Sequence, residues 1–130
     1  MGHVSQRKLK RVLLIDDHDD TRELVALVLE RAGYSVLQAS QGQQGLDLLV
    51  ASGLELPGLI LLDLQMPVMS GWEFLTIIQS YARLAAIPVI VMSGSAGTSE
   101  SLRHATIAGY LAKPVDETAL LAHVKQIVTA

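Results

Sequence analysis

The hydrophobic positions fall into short unbroken runs separated by longer stretches of helical spacing. Val12 to Ile15, Leu59 to Leu62 and Val89 to Met92 are each apolar without interruption. Runs this short and continuous suit strands buried on both faces. Ser35 to Ala39 and Tyr110 to Ala112 complete a set of five expected strands. Helices are expected between and after them. Thr21 to Ala32 carries Leu24, Leu27 and Val28 at i, i+3, i+4, with Asp20 and Glu23 resembling a capping box and Gly33 as a stop. Gln43 to Ala51 ends before Gly53, Gly71 to Leu84 follows the third strand, and Ser99 to Ile107 is a weak fourth helix. Glu117 to Val128 sets Leu120, Leu121, Val124, Ile127 and Val128 on one face. Alternation of this kind predicts a parallel α/β sheet covered by helices.

Five strand–helix units in 130 residues leave no room for a second core. The expected division is a polar lead-in over 1–10 and one domain over 11–130. The basic run Arg7, Lys8, Lys10 and Arg11 reads as a solvated tail.

Half of the residues are hydrophobic, enough for a sizeable core, and the net charge is -3. That balance argues against non-specific binding to nucleic acid. There is no cysteine, which excludes disulfides and thiolate metal sites. No apolar stretch is long enough to span a membrane, and no signal peptide is visible. Gly2 is not followed by Ser or Thr at position 6, where a myristoylation motif needs one. A cytoplasmic location is the expectation.

Candidate chemistry clusters at strand ends. The first strand ends in Asp16-Asp17, the third in Asp63, the fourth in Ser93-Gly94 and the fifth in Lys113-Pro114. In a wound α/β sheet the carboxyl ends of parallel strands share one edge, where ligands bind. Adjacent carboxylates repel, so something must compensate them, and a hard divalent cation such as Mg2+ suits a site of few protein oxygens. A carboxylate left facing a lysine and a cation stays ionised and can attack a phosphoryl donor in line. Asp19 and Asp20 are explained by a helix N-terminus, which favours negative charge. Lys113-Pro114 is a candidate cis peptide. His3, His18, His104 and His123 show no ligand spacing, and His18 reads as a surface residue of an acidic loop. There is no P-loop, no GxGxxG and no nucleophile elbow.

Together these blocks resemble the response-regulator receiver domains of two-component signalling. The resemblance runs from Arg11 to about Val128. It rests on Asp16-Asp17, on Leu61-Leu62-Asp63-Leu64-Gln65-Met66-Pro67 with Gly71, on Ser93 and on Tyr110-Leu111-Ala112-Lys113-Pro114. It implies a flavodoxin-like (βα)5 three-layer sandwich with a five-stranded parallel sheet in the order 2-1-3-4-5. It implies that Asp63 is the phosphoacceptor and part of the metal site, that Asp17 binds Mg2+ directly, that Asp16 binds it through water and that Gln65 offers its backbone carbonyl. Lys113 would pair with the phosphate. Ser93 and Tyr110 would form the switch pair, and Gln65 and Ser95 would tune the phosphoryl lifetime. The donor would be a histidine kinase or a histidine phosphotransfer protein, and the target another protein, with no direct nucleic-acid or membrane contact. Such a chain is a signalling switch, catalysing only its own phosphorylation and dephosphorylation. The Ser93-to-Lys113 segment is short for the family, so a receiver-fold interaction module that does not switch is the alternative. A haloacid-dehalogenase-like phosphatase would need an acid where Gln65 stands. An FMN binder would need a hydroxyl- and glycine-rich loop where Asp16 to Asp20 stand.

Overall fold

The computed structural model describes residues 10–53, 55–94 and 107–128. Its central strands are the runs that offered no polar side chain to solvent. β1 (Arg11–Ile15), β3 (Leu59–Asp63) and β4 (Val89–Ser93) are buried on both faces, while β2 (Ser35–Ala39) and β5 (Ile107–Ala112) are partly exposed edges. All pairings are parallel, in the order β2-β1-β3-β4-β5, the flavodoxin-like arrangement.

Period-two alternation sorts the strand side chains into two cores. Leu13, Ile15, Ile60, Leu62, Val89 and Val91 pack against α2 (Gly42–Ala51) and α3 (Gly71–Gln79) through Leu49, Phe74, Leu75 and Ile78. Val12, Leu14, Leu59, Leu61, Ile90 and Met92 face the other way, onto α1 (Asp19–Arg31) and α5 (Glu117–Val128) through Val25, Ala26, Leu29, Leu120, Val124 and Val128. The result is three layers. Among the described residues no helix is long and apolar enough to cross a membrane.

Four local expectations need correction. α1 begins at Asp19, and its N-cap is His18 with no side-chain cap, so Asp20 and Glu23 form no capping box. The chain turns earlier because the Asp16 carboxylate accepts the His18 backbone N–H at 2.9 Å. The buried stripe of α1 is Val25, Ala26 and Leu29, whereas Leu24 and Leu27 are exposed. The expected single helix from Gly71 to Leu84 breaks at Ser80-Tyr81. There the backbone N–H groups reach back only three residues, to Ile77 and Ile78, and Tyr81 is extended before the short helix α4 (Ala82–Ala85). Ile107 opens β5 rather than closing a helix, and a register shift opposite Val89/Ile90 accommodates the extra strand residue. The rest of the expected fourth helix, 99–106, and Arg7, Lys8, His3, Ser95 and His104 lie outside the described residues.

Candidate functional site

The register builds the site. Ile15 lies beside Leu62, so the next residues, Asp16 and Asp63, end adjacent strands at one edge. Asp63 pairs with Met92, and Ser93 with Ala112, which brings Ser93 and Lys113 to the same edge. Continuous hydrophobic strands thus push their first polar residues out of the sheet together.

Asp16 is completely buried and fully engaged. Its Oδ1 accepts the His18 N–H, and its Oδ2 accepts from Lys113 Nζ at 3.1 Å. Asp63 is 1 % exposed. Its Oδ1 accepts the Gln65 backbone N–H at 3.0 Å. Its Oδ2 sits 3.2 Å from Lys113 Nζ, at ion-pair distance, yet among the described residues no donor points at it with hydrogen-bond geometry. Asp17 Oδ1 is likewise buried without a hydrogen bond among the described residues. Burial pushes the Asp63 carboxyl up to about 6 and the Asp16 charge adds to this, opposed by the Gln65 N–H and the Lys113 ammonium.

Arg22 clamps this loop from α1. Its guanidinium donates to the Asp16 carbonyl at 2.9 Å and to Gln38 of β2 at 3.3 Å, and lies 2.8 Å from Asp19 Oδ1. Nothing in the local sequence distinguishes Arg22 from an ordinary surface arginine. A second device escaped sequence reading although it was visible there. Ser70 and Glu73 form a reciprocal capping box that starts α3 directly after the Asp63 loop.

The remaining expected residues are placed less closely. Ser93 is buried at the end of β4, and its carbonyl accepts the Lys113 N–H at 2.9 Å. The Lys113-Pro114 bond is cis. Tyr110 pairs with Val91, two residues before Ser93, and is half-buried against the core on the α2/α3 face. The Gln65 side chain lies over Gly94, with Oε1 3.8 Å from where a Cβ would be. His18 departs from expectation. Its side chain is 62 % exposed, but Nδ1 lies 3.3 Å from Asp16 Oδ1, 3.2 Å from Asp17 Oδ1 and 3.8 Å from Asp63 Oδ2.

This donor set fits a divalent cation. Asp16, Asp17, His18 and Asp63 each present an atom within 4.8 Å of the others. Among the described residues, three carboxylates against the single Lys113 ammonium leave an excess of negative charge, and two buried carboxylate oxygens lack donors. A separate cavity of about 640 Å³, lined by Leu46, Leu49, Leu56, Ile77 and Leu84 among others, contains none of these residues.

A doubly wound sheet whose strand ends gather an acidic pocket and one lysine is the arrangement of a receiver-type domain. Residues 12–125 match the response regulator receiver domain, and the chain belongs to that family. It is 29% identical to protein PilH of Pseudomonas aeruginosa, over 92% of this chain and 98% of PilH. It is 31% identical to the transcriptional regulatory protein GltR of the same species over 92% of this chain, but it spans only about half of GltR's length (49%). It spans 15% of the sensor histidine kinase CheAY of Helicobacter pylori, at 29% identity over 90% of this chain. Among solved structures it is similar to the chemotaxis protein CheY4 of Vibrio cholerae, with TM-score 0.81 and 25% identity over 90% of this chain and 97% of that one. A putative response regulator from Chloroflexus aurantiacus gives TM-score 0.81 and 26% identity over 93% and 98% of the two chains. The chain is therefore a receiver domain of the two-component and chemotaxis response-regulator type.

Proposed function

We propose that Asp63 accepts a phosphoryl group from a phosphohistidine donor, in a Mg2+-dependent transfer that switches a protein-interaction surface. One observation carries this reading. Asp63 Oδ2 is buried at the carboxyl edge of the sheet, faces a lysine and has no hydrogen-bond donor among the described residues. A carboxylate so placed is held for a partner outside the chain.

In the transfer, an Asp63 carboxylate oxygen attacks phosphorus and the P–N bond to the donor imidazole breaks. The electron pair leaves on the imidazole nitrogen, and the product is an acyl phosphate on Asp63. Asp17 and Asp63 would hold Mg2+, with Asp16 acting through water and Gln65 through its carbonyl. When bound, the ion supplies charge neutralisation at the transferring oxygens. Lys113 pairs with the new phosphate and gives up part of its hold on Asp16 and Asp63. The Ser93 hydroxyl donates to a phosphate oxygen, and Tyr110 follows into the vacated space. This biases two arrangements of the face around β5. The catalysis ends there, with self-phosphorylation and hydrolysis of the acyl phosphate. A histidine kinase or histidine phosphotransfer protein is the donor, a second protein is the target, and both meet the chain in the cytoplasm.

Intact-mass analysis after incubation with acetyl phosphate, with and without Mg2+, tests the reading. One added phosphoryl group that needs both Mg2+ and Asp63 is expected. A label retained in Asp63→Asn would displace Asp63 as acceptor. If no adduct forms, beryllofluoride binding separates a short-lived phosphate from a site that accepts none.

A further inference from the structure

We propose that His18 is a further ligand of the acidic site and opens it to borderline divalent cations such as Ni2+ and Co2+, beside Mg2+. The inference deepens the proposed Mg2+ site and rests on it. Three observations support it.

The first is geometric. His18 Nδ1 lies 3.2–3.8 Å from a carboxylate oxygen of each of Asp17, Asp16 and Asp63. Donor atoms that share one cation at about 2.1 Å must themselves stand roughly 3 to 4 Å apart. The imidazole is at ligand spacing from all three acids. The second is that the pocket is open to a cation. Asp63 Oδ2, on a residue 1 % exposed, points at this cluster with no hydrogen-bond donor among the described residues. The third is chemical. Lys113 occupies Asp16 Oδ2 and borders Asp63 Oδ2, so the oxygens on the His18 side, Asp16 Oδ1 and Asp17 Oδ1, are met there by the imidazole.

A nitrogen added to three carboxylates changes which ion the pocket prefers. Mg2+ keeps oxygen ligands and water, and gains little from an imidazole. Co2+, Ni2+ and Zn2+ bind imidazole well, and N/O sites follow the order of increasing affinity from Mn2+ through Ni2+. The backbone of His18 is anchored independently of its ring, through its N–H to Asp16 Oδ1 at 2.9 Å. Its ring is largely solvent-facing, so removing it leaves the loop in place.

The test is calorimetric titration of the full chain with Ni2+ and, separately, Mg2+, on wild type, His18→Ala and Asp17→Asn. His18→Ala is expected to lose at least about tenfold in Ni2+ affinity, the lower end of what loss of a supporting metal-site group costs, and less than about threefold for Mg2+. Asp17→Asn is expected to lose both. The inference is overturned by unchanged or stronger Ni2+ binding in His18→Ala, which would make the ring a mere counter-charge. Equal loss of both metals overturns it too, as does Ni2+ binding that survives Asp17→Asn and so belongs to another histidine. Wild type that binds Mg2+ with no His18 effect on Ni2+ ends this inference and leaves the proposed function standing. Wild type that fails to bind Mg2+ ends the latter.

Discussion

The ammonium of Lys113 lies 3.2 Å from Oδ2 of Asp63, although the whole of β4 separates the strands that carry them. The lysine crosses that strand end to reach the third strand, and it also meets Asp16, at the end of β1 on the far side of β3, at 3.1 Å. One cation therefore holds two carboxylates that are 0 and 1 % exposed. Lys113→Met keeps the stem and removes the charge, leaving two buried acids without a counter-ion. Breaking a buried pair in this way costs about 3 kcal/mol or more. Urea denaturation at neutral pH without metal should show a loss of that size, and acetyl phosphate labelling should drop with it. A loss below about 1 kcal/mol, the range of an exposed pair, would mean that solvent rather than Lys113 balances the site.

The raised Asp63 carboxyl makes a signed prediction for stability. Its value is about 6 in the folded chain against an ordinary 3.8, raised first by burial. Between those values the folded state binds the proton that the unfolded state has lost. Unfolding then releases protons, so this group's contribution falls as pH rises from 3.8 to about 6 and is constant above. A shift of this size corresponds to roughly 3 kcal/mol at most. Other acids titrate in the same window, so the measurement is a difference. In chelator, Asp63→Asn should gain stability over wild type progressively from about pH 4 to about pH 6, then hold that gain. A gap that stays constant with pH would show that Asp63 is not held in an unfavourable charged state.

The sequence revealed the sheet because its three central strands have no alternative to burial. It revealed Asp16 and Asp63 because each is the first polar residue after such a run, with Asp17 directly after Asp16. Asp16, Asp17 and Asp63 converge for that reason, and the β4–β5 register brings Lys113 to the same edge. What it hid depends on where side chains turn once the backbone is set. Leu24 and Leu27 have helical spacing, but the α1 axis is fixed by Val25, Ala26 and Leu29, and the leucines stay in solvent. Arg22 gains its role from reaching back to a strand-end carbonyl. His18 looked like loop decoration because its third acidic partner, Asp63, is distant in sequence.

Gly71 is where the site's backbone tolerates no side chain. A Cβ there would stand 2.7 Å from the Asp63 carbonyl oxygen and 2.7 Å from Leu64 Cα, both of them backbone. The same residue donates its N–H to the Leu64 carbonyl at 3.0 Å, closing the loop that carries Gln65. Gly71→Ala must therefore move the end of β3 or the start of α3. Overpacking of this kind costs about 1–3 kcal/mol, against which the better helix propensity of Ala returns less than 1 kcal/mol. Thermal denaturation should show a net loss, and Mg2+ affinity should fall with it because Asp63 moves. Preserved stability and Mg2+ binding would show that the loop yields without disturbing the acid.

Val68 presents the opposite case, a side chain where glycine would fit better. Its φ is 69°, its exposure is 96%, and Met69 N–H bonds the Pro67 carbonyl at 2.8 Å across it. These features make a γ-turn centred on a β-branched residue, a strained arrangement. The left-handed region costs an L-residue about 1–2 kcal/mol, which glycine escapes. Glycine gives back roughly 0.5–1 kcal/mol through the freedom it adds to the unfolded chain. So exposed a valine loses almost no burial when truncated. Val68→Gly should therefore be stabilising by up to about 1 kcal/mol, whereas Val68→Ala, which keeps the Cβ, should gain less. Parallel urea titrations of the three proteins check the order Gly above Ala above Val. A destabilised Val68→Gly would mean that the turn is held by the valine itself, and that the loop following Asp63 owes its shape to that side chain rather than to the Ser70–Glu73 cap and the Gly71 contact.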